Sequence, residues 1–184
     1  MISNKNYAHR PPHLFIDDWC YFLTARCQEK KNFFDLENKK KLFVKAINKA
    51  VCKFEVELFS WVLLDNHYHM LMRIKNSKNI PRFIHNLHAN SSRLINDFDN
   101  KDGRKIWYQY WDYCIRNKKD FWLHFNYIIQ NPLKHKLTET LEQAFYYEYS
   151  SNGIWLERFG KEGMSELFIK YPVIDWTPNE VDLN

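Results

Sequence analysis

Residues 57–74 read Glu57-Leu58-Phe59-Ser60-Trp61-Val62-Leu63-Leu64-Asp65-Asn66-His67-Tyr68-His69-Met70-Leu71-Met72-Arg73-Ile74. Both halves are rich in the aromatic and large apolar residues that suit a pleated, half-buried strand. Asp65-Asn66 divides them, and both residue types tolerate positive φ, so a two-residue hairpin turn is expected there. Glu57–Leu64 and His67–Ile74 are then neighbouring antiparallel strands. On the second of them His67 and His69 stand two residues apart, which puts both imidazoles on one face.

Outward from this hairpin the periodicity alternates. Residues 19–27 (Trp-Cys-Tyr-Phe-Leu-Thr-Ala-Arg-Cys) predict a first strand. Lys39–Lys53 carries Leu42, Phe43, Ala46, Ile47 and Ala50 at helical spacing. Ile80–Phe98 predicts a second helix, with Pro81 in its first turn and Ile84, Leu87, Leu94 and Ile95 on the apolar side. An aromatic strand follows over Ile106–Ile115, and a third helix spans residues 119–130, stopped by Pro132. Turn signals cluster at Ser150-Ser151-Asn152-Gly153. The order strand, helix, strand, strand, helix, strand, helix predicts an α+β protein whose antiparallel sheet has helices packed on one face. We divide the chain into a leader over 1–18, one domain over 19–152 and an extension of unassigned role over 153–184.

At 184 residues the chain has room for one core, and 45% hydrophobic with 17% aromatic residues excludes a disordered polymer. A formal charge of +5 fits a polyanionic partner without requiring one. Cys20, Cys27, Cys52 and Cys114 show no zinc-knuckle or redox spacing and are expected as reduced thiols in or near the core. Met1 to Pro12 is polar and basic, without the apolar run of a secretory leader, and no stretch is apolar enough to span a membrane. A cytoplasmic protein with no membrane partner is expected.

Two neutral imidazoles on one strand face can share a metal ion and leave its charge uncancelled, ready to polarise a phosphate oxygen. The same spacing also fits two surface histidines, and it does not choose among Mn, Zn, Ni and Mg. On the third helix His124, Tyr127 and Asn131 share one face, an unusual set for a solvated surface. A phenol is a weak nucleophile at neutral pH but can attack a phosphodiester when charge on the phosphorus is stabilised. An amphipathic tyrosine hydrogen-bonded at the sheet edge is the plainer reading.

Taken together, these segments resemble a known family. Leu64-Asp65-Asn66-His67-Tyr68-His69-Met70-Leu71 resembles the HUH signature of single-tyrosine transposases. Tyr127-Ile128-Ile129-Gln130-Asn131-Pro132-Leu133-Lys134 resembles the tyrosine motif of the REP-associated, IS200-like branch. Trp107-Tyr108-Gln109-Tyr110-Trp111-Asp112 is similar to its aromatic segment, and Glu148-Tyr149-Ser150-Ser151 to its closing Tyr-Ser-Ser. Asp65 stands where the family often has Pro, and His135-Lys136 replaces the usual Ala-Gly. The resemblance implies a ferredoxin-like HUH endonuclease fold, and a transposase that cuts and rejoins single-stranded or hairpin DNA through a 5′-phosphotyrosine. It implies Tyr127 as nucleophile, and His67, His69 and Asn131 as ligands to Mg2+ or Mn2+, with His124 and Gln130 as rivals for the third place. Family members act as monomers or homodimers.

Single-stranded DNA is held by basic grooves and aromatic faces. Lys75, Arg82 and Arg93 near the histidine strand and second helix, and Arg104, Lys105, Arg116, Lys118 and Lys119 around the aromatic segment, are the candidate DNA contacts. Trp107 and Trp111 are candidates for stacking on bases. Two other readings stay open: a hairpin DNA- or RNA-binding protein of the same fold that makes no covalent product, and a metal-dependent hydrolase that would not need Tyr127. The absence of paired cysteines argues against a structural zinc site.

Overall fold

The computed structural model describes residues 14–173. Most of the leader expected over 1–18, and the end of the extension expected over 153–184, lie outside the described residues. Strands β1 (Trp19–Cys27), β2 (Glu57–Leu63), β3 (His67–Ile74) and β4 (Trp107–Cys114) form one antiparallel sheet in the order β2-β3-β1-β4. Helix α1 (Glu37–Phe54) links β1 to β2, and α2 (Ile80–Asp99) links β3 to β4. This βαββαβ path with β1 and β3 central is the ferredoxin-like arrangement.

Alternation along the strands builds two cores. Tyr21, Leu23 and Ala25 of β1, with Tyr68, Met70 and Met72 of β3, pack against Phe43, Ile47, Phe83 and Leu87 of α1 and α2. The other face carries Phe22, Val62 and Leu71, which meet Phe125, Tyr127, Ile128 and Ile129 of α3 (Lys118–Lys134). The expected single helical layer is thus the α1–α2 layer, and the opposite face has a cover of its own. Helices α4 (Leu141–Phe145) and α5 (Asn152–Lys170) back α3, with Phe145 and Met164 buried. The boundary expected at 152/153 therefore falls inside the first turn of α5.

The hairpin closes as expected, with Leu64 N–H donating to the His67 carbonyl at 2.9 Å. Neither Asp65 nor Asn66 needs positive φ, however. External bonds hold the turn instead: Cys27 N–H to the Asn66 carbonyl (2.7 Å), Phe34 N–H to the Asp65 carbonyl (2.8 Å), and Lys40 Nζ against the Asp65 carboxylate (2.8 Å). A turn clamped from three sides gives β3 a fixed starting point.

Two expectations need correction. α3 does not stop before Pro132 but runs through it to Lys134. Pro132 sits in the last turn, where its missing N–H costs one bond, and the burial of α3 between sheet and α5 outweighs that local preference. Asn131 therefore keeps helical geometry and its four-residue spacing from Tyr127. Of the cysteines, Cys27 is buried and Cys20 and Cys114 are half-buried, but Cys52 is exposed. It lies in the last turns of α1, off the stripe that Phe43, Ala46, Ile47 and Ala50 bury.

Candidate active site

Strand β3 and helix α3 bring the sequence-selected residues to one place. The His67 and His69 ring centroids are 5.1 Å apart, and the Tyr127 ring is 5.1 Å from His69, edge to face. Phe22 wedges between strand and helix, with its centroid 5.5 Å from His69, 6.1 Å from Tyr127 and 4.6 Å from His124. Tyr127 and Asn131 are fully buried. The position of Tyr127 off the centre of the α3 stripe does not expose it, because α3 is covered on more than one side.

Hydrogen bonding fixes the His67 tautomer. Asn66 Nδ2 donates to the Lys30 carbonyl (3.2 Å) and to Asn32 Oδ1 (2.9 Å), which leaves Asn66 Oδ1 as an acceptor. His67 Nδ1 lies 2.7 Å from that oxygen and must carry the proton, so Nε2 keeps its lone pair. Burial holds the His67 imidazole down to about 3, helped by His135 and Lys134, while the neighbouring Asn131 amide acts in the other direction. His69 is pushed well below its ordinary value by burial first, then by His67, His135 and Lys134. Both rings are neutral near pH 7, the form that binds metal.

Three orphaned atoms mark the centre. His69 Nδ1 and Nε2, and Asn131 Oδ1, are buried with no hydrogen-bond partner among the described residues. An unbonded buried nitrogen or oxygen is costly unless something completes it. Two neutral imidazoles and an amide oxygen fit a divalent metal of the first transition series. Among the described residues no three side chains drawn from His, Cys, Asp and Glu form a metal-holding group, so the third protein ligand would be the Asn131 amide. His124 is engaged elsewhere: its Nδ1 faces the Asp120 carbonyl (2.8 Å) and carboxylate (3.2 Å), and its ring stacks on Tyr113. Gln130 is half-exposed.

Two residues beside the site, the last of the tyrosine motif and the one that follows it, are given no role by any spacing in the sequence. Lys134 Nζ lies 3.3 Å from the Tyr127 hydroxyl and 4.9 Å from its ring centroid. The His135 ring is 4.6 Å from that of His67. Only the continuation of α3 past Pro132 reveals them, since it sets Lys134 seven residues, two helical turns, beyond Tyr127.

The candidate DNA contacts divide. Arg82 and Arg93 stand on α2, across the sheet from the histidines, and Arg93 faces Asp97 at 3.5 Å. Lys75 pairs with Glu55 at 3.4 Å. Arg104 is held by Asp99 (2.6 Å) and Asn96 (3.1 Å). Lys105 lies over the Tyr108 ring and Arg116 over the Tyr113 ring, on the β4 side, and Lys118 and Lys119 are exposed at the start of α3. Trp107 is buried, its Nε1–H bonded to Ser91 Oγ at 2.9 Å, and is a core residue; Trp111 is half-exposed.

The model of the family described as "Transposase IS200 like" matches residues 16–131, a span that includes His67, His69, Tyr127 and Asn131. The chain belongs to this family. A relative from Escherichia coli (strain K12), a REP-associated tyrosine transposase, is 26% identical over 123 residues, covering 66% of this chain and 70% of the relative. Among solved structures, a REP-associated tyrosine transposase bound to a REP hairpin aligns with a TM-score of 0.65 at 21% identity, over 93% of this chain and 92% of that one. That likeness shows the α+β fold. A structure described as that of "a putative transposase from deinococcus radiodurans r1" aligns at a TM-score of 0.46 and 14% identity, over 74% of this chain and 98% of that one. The described residues contain no helix long and apolar enough to cross a membrane.

Proposed function

We propose that this IS200-like transposase cuts and rejoins single-stranded DNA beside a hairpin, through a covalent link to Tyr127. The observation that carries the reading is the meeting of the Tyr127 ring with His69, 5.1 Å apart, beside orphaned His69 and Asn131 atoms. The hairpin is inferred from the relative solved with a REP hairpin.

In the proposed reaction the Tyr127 phenolic oxygen bonds to phosphorus as the bond from phosphorus to the 3′ oxygen breaks. The phenol gives up its proton, the departing 3′ oxygen takes one, and the products are a 5′-phosphotyrosine and a free 3′-hydroxyl. Attack by a 3′-hydroxyl on that link reverses the exchange, so the phosphoester count is conserved and no nucleotide triphosphate is required. A divalent metal held by His67, His69 and Asn131, with Mn2+ suiting the two imidazoles better than Mg2+, would supply Lewis-acid stabilisation of charge on a phosphate oxygen. His67 and His69, neutral and mounted on a clamped strand, keep their lone pairs in place for it. Phe22 sets the spacing between strand and helix. Lys134 covers the buried Tyr127 ring from an exposed position, and its outward turn opens the hydroxyl while offering an ammonium to the incoming phosphate.

A second reading, hairpin binding without a covalent product, draws on the full burial of Tyr127. One experiment separates them. The protein is incubated with hairpin-bearing single-stranded DNA from the flanks of its own gene, with and without Mg2+ or Mn2+, and denaturing gels are read for protein–DNA adducts. Adducts are expected with metal and are expected to vanish in Tyr127→Phe. Adducts at the native level in that variant remove Tyr127 as nucleophile, and binding without adducts under any condition favours the second reading.

A further inference from the structure

Beside the proposed metal face, the sheet has a cation–aromatic surface that the chemistry above does not use. On β1 the register shifts between Arg26, which pairs with Gln109, and Cys27, which pairs with Trp107. Tyr108 is left over on β4 as a bulged residue, and bulges re-aim side chains. Tyr108 is 45% exposed. The Arg26 guanidinium lies 5.0 Å from the Tyr108 ring centroid and 5.9 Å from that of Trp111, and Lys105 Nζ is 5.5 Å from Tyr108.

This surface continues the histidine face. Arg26 pairs with His67 across the β1–β3 ladder, and opposed residues in an antiparallel pair share a face. Thr24 pairs likewise with His69 on one side and with Trp111 on the other. α3 packs against β2 and β3 and meets β4 only toward the far end of that strand, at Tyr113, and no residue of β4 beyond Trp107 is fully buried. A cleft of about 350 Å³ opens there, lined by Arg26, Gln28, Glu29, Lys30 and Tyr108. Gln28 Oε1 is buried with no hydrogen-bond partner among the described residues. The one acid among the described residues lining the cleft, Glu29, pairs with Lys31 at 2.7 Å.

Two aromatic faces bracketing a guanidinium, with basic neighbours and an amide acceptor, match what unpaired nucleotides require: π-faces for the base and positive charge for the backbone. Double-stranded DNA hides its base faces and cannot use such a site. We propose that Tyr108, Arg26 and Trp111 form a stacking platform for an unpaired nucleotide of single-stranded DNA next to the cut site. The proposal rests on the DNA-cutting reading for its choice of ligand, but its test does not require cutting.

Binding of the full chain to fluorescent DNA hairpins is measured by anisotropy without added metal, comparing a blunt hairpin with hairpins bearing a short unpaired 5′ or 3′ tail. Tyr108→Ala is expected to weaken binding of a tailed hairpin about tenfold and leave the blunt hairpin unchanged, whereas Tyr108→Phe keeps native affinity. A 2-aminopurine in the tail should be quenched by the native protein and by Tyr108→Phe, but not by Tyr108→Ala. Equal weakening on blunt and tailed DNA, or no weakening on either, overturns the platform. A tail effect in a protein that never forms adducts leaves the platform standing and ends the phosphotyrosine reading. Adducts without any tail effect do the reverse.

Discussion

Lowering the pH should unfold this protein through a histidine far from the proposed chemistry. His88 of α2 faces the Tyr68 hydroxyl at 2.9 Å and stacks on Trp107, with ring centroids 4.8 Å apart. Burial, with a smaller push from His85, brings it from 6.5 down to about 3. Between those values the unfolded chain binds a proton at this residue and the folded chain does not. The stabilisation is therefore complete above pH 6.5 and is lost as the pH falls toward 3. At pH 4.5, two units inside the window, about 1.4 kcal/mol per unit gives a loss of about 3 kcal/mol from this one group. In urea that is a midpoint shift of about 1 to 3 M.

His67 and His69 add to the same acid sensitivity, so the comparison must cancel them. His88→Phe keeps a ring against Trp107 and removes the titrating group. At pH 7.5 the variant should be less stable by about 1–3 kcal/mol, because the buried Tyr68 hydroxyl loses its partner. Between pH 7.5 and 4.5 it should then lose about 3 kcal/mol less than the native protein. Urea denaturation at the two pH values, followed by tryptophan fluorescence, measures both numbers. If the native and variant stabilities fall in parallel with pH, His88 is not buried neutral and the reasoning fails.

Other outcomes follow from the same geometry. Manganese or zinc should raise the melting temperature of the native protein, by about 2.7 kcal/mol of stabilisation at a hundredfold excess over the dissociation constant, and should leave His69→Ala unshifted. A metal shift that survives that substitution would place the ion elsewhere. Asn126 Nδ2 donates to the carbonyls of Leu167 (2.9 Å) and Tyr171 (2.8 Å), latching the end of α5 to α3. Asn126→Ala should cost about 2 kcal/mol and speed hydrogen exchange in α5 selectively. Exchange accelerated equally through the sheet would show that α5 is not a separate unit.

The hairpin, the HxH face and the ferredoxin-like order were legible because each is a local rule: strand alternation, turn chemistry and helical period act within a few residues. Failures came where distant packing decided. Pro132 signals a helix end, but α3 is held from both sides and passes through it, bringing Lys134 and His135 to the site. Tyr127 sits off the apolar stripe yet is fully buried, because its side of α3 turns to Phe22 and His69 of the sheet while Phe125 of the stripe meets Trp155 of α5. The role of α5 had no local signature, since its partners lie on α3, α4 and β2. Arg104, one of the candidate DNA contacts, is held by Asp99 and Asn96, a pairing that no spacing in the sequence announces.

The closing Tyr-Ser-Ser run lies alongside β2: Leu63 N–H donates to the Tyr149 carbonyl (2.9 Å), Ser151 N–H to the Trp61 carbonyl (2.9 Å), and Trp61 N–H to Ser151 Oγ (3.0 Å). Those bonds occupy the rim where another chain's strand would dock, so the molecule carries its own guard against edge-to-edge aggregation there. Among the described residues, sheet growth by strand addition is left to the β4 rim, beside the bulge at Tyr108.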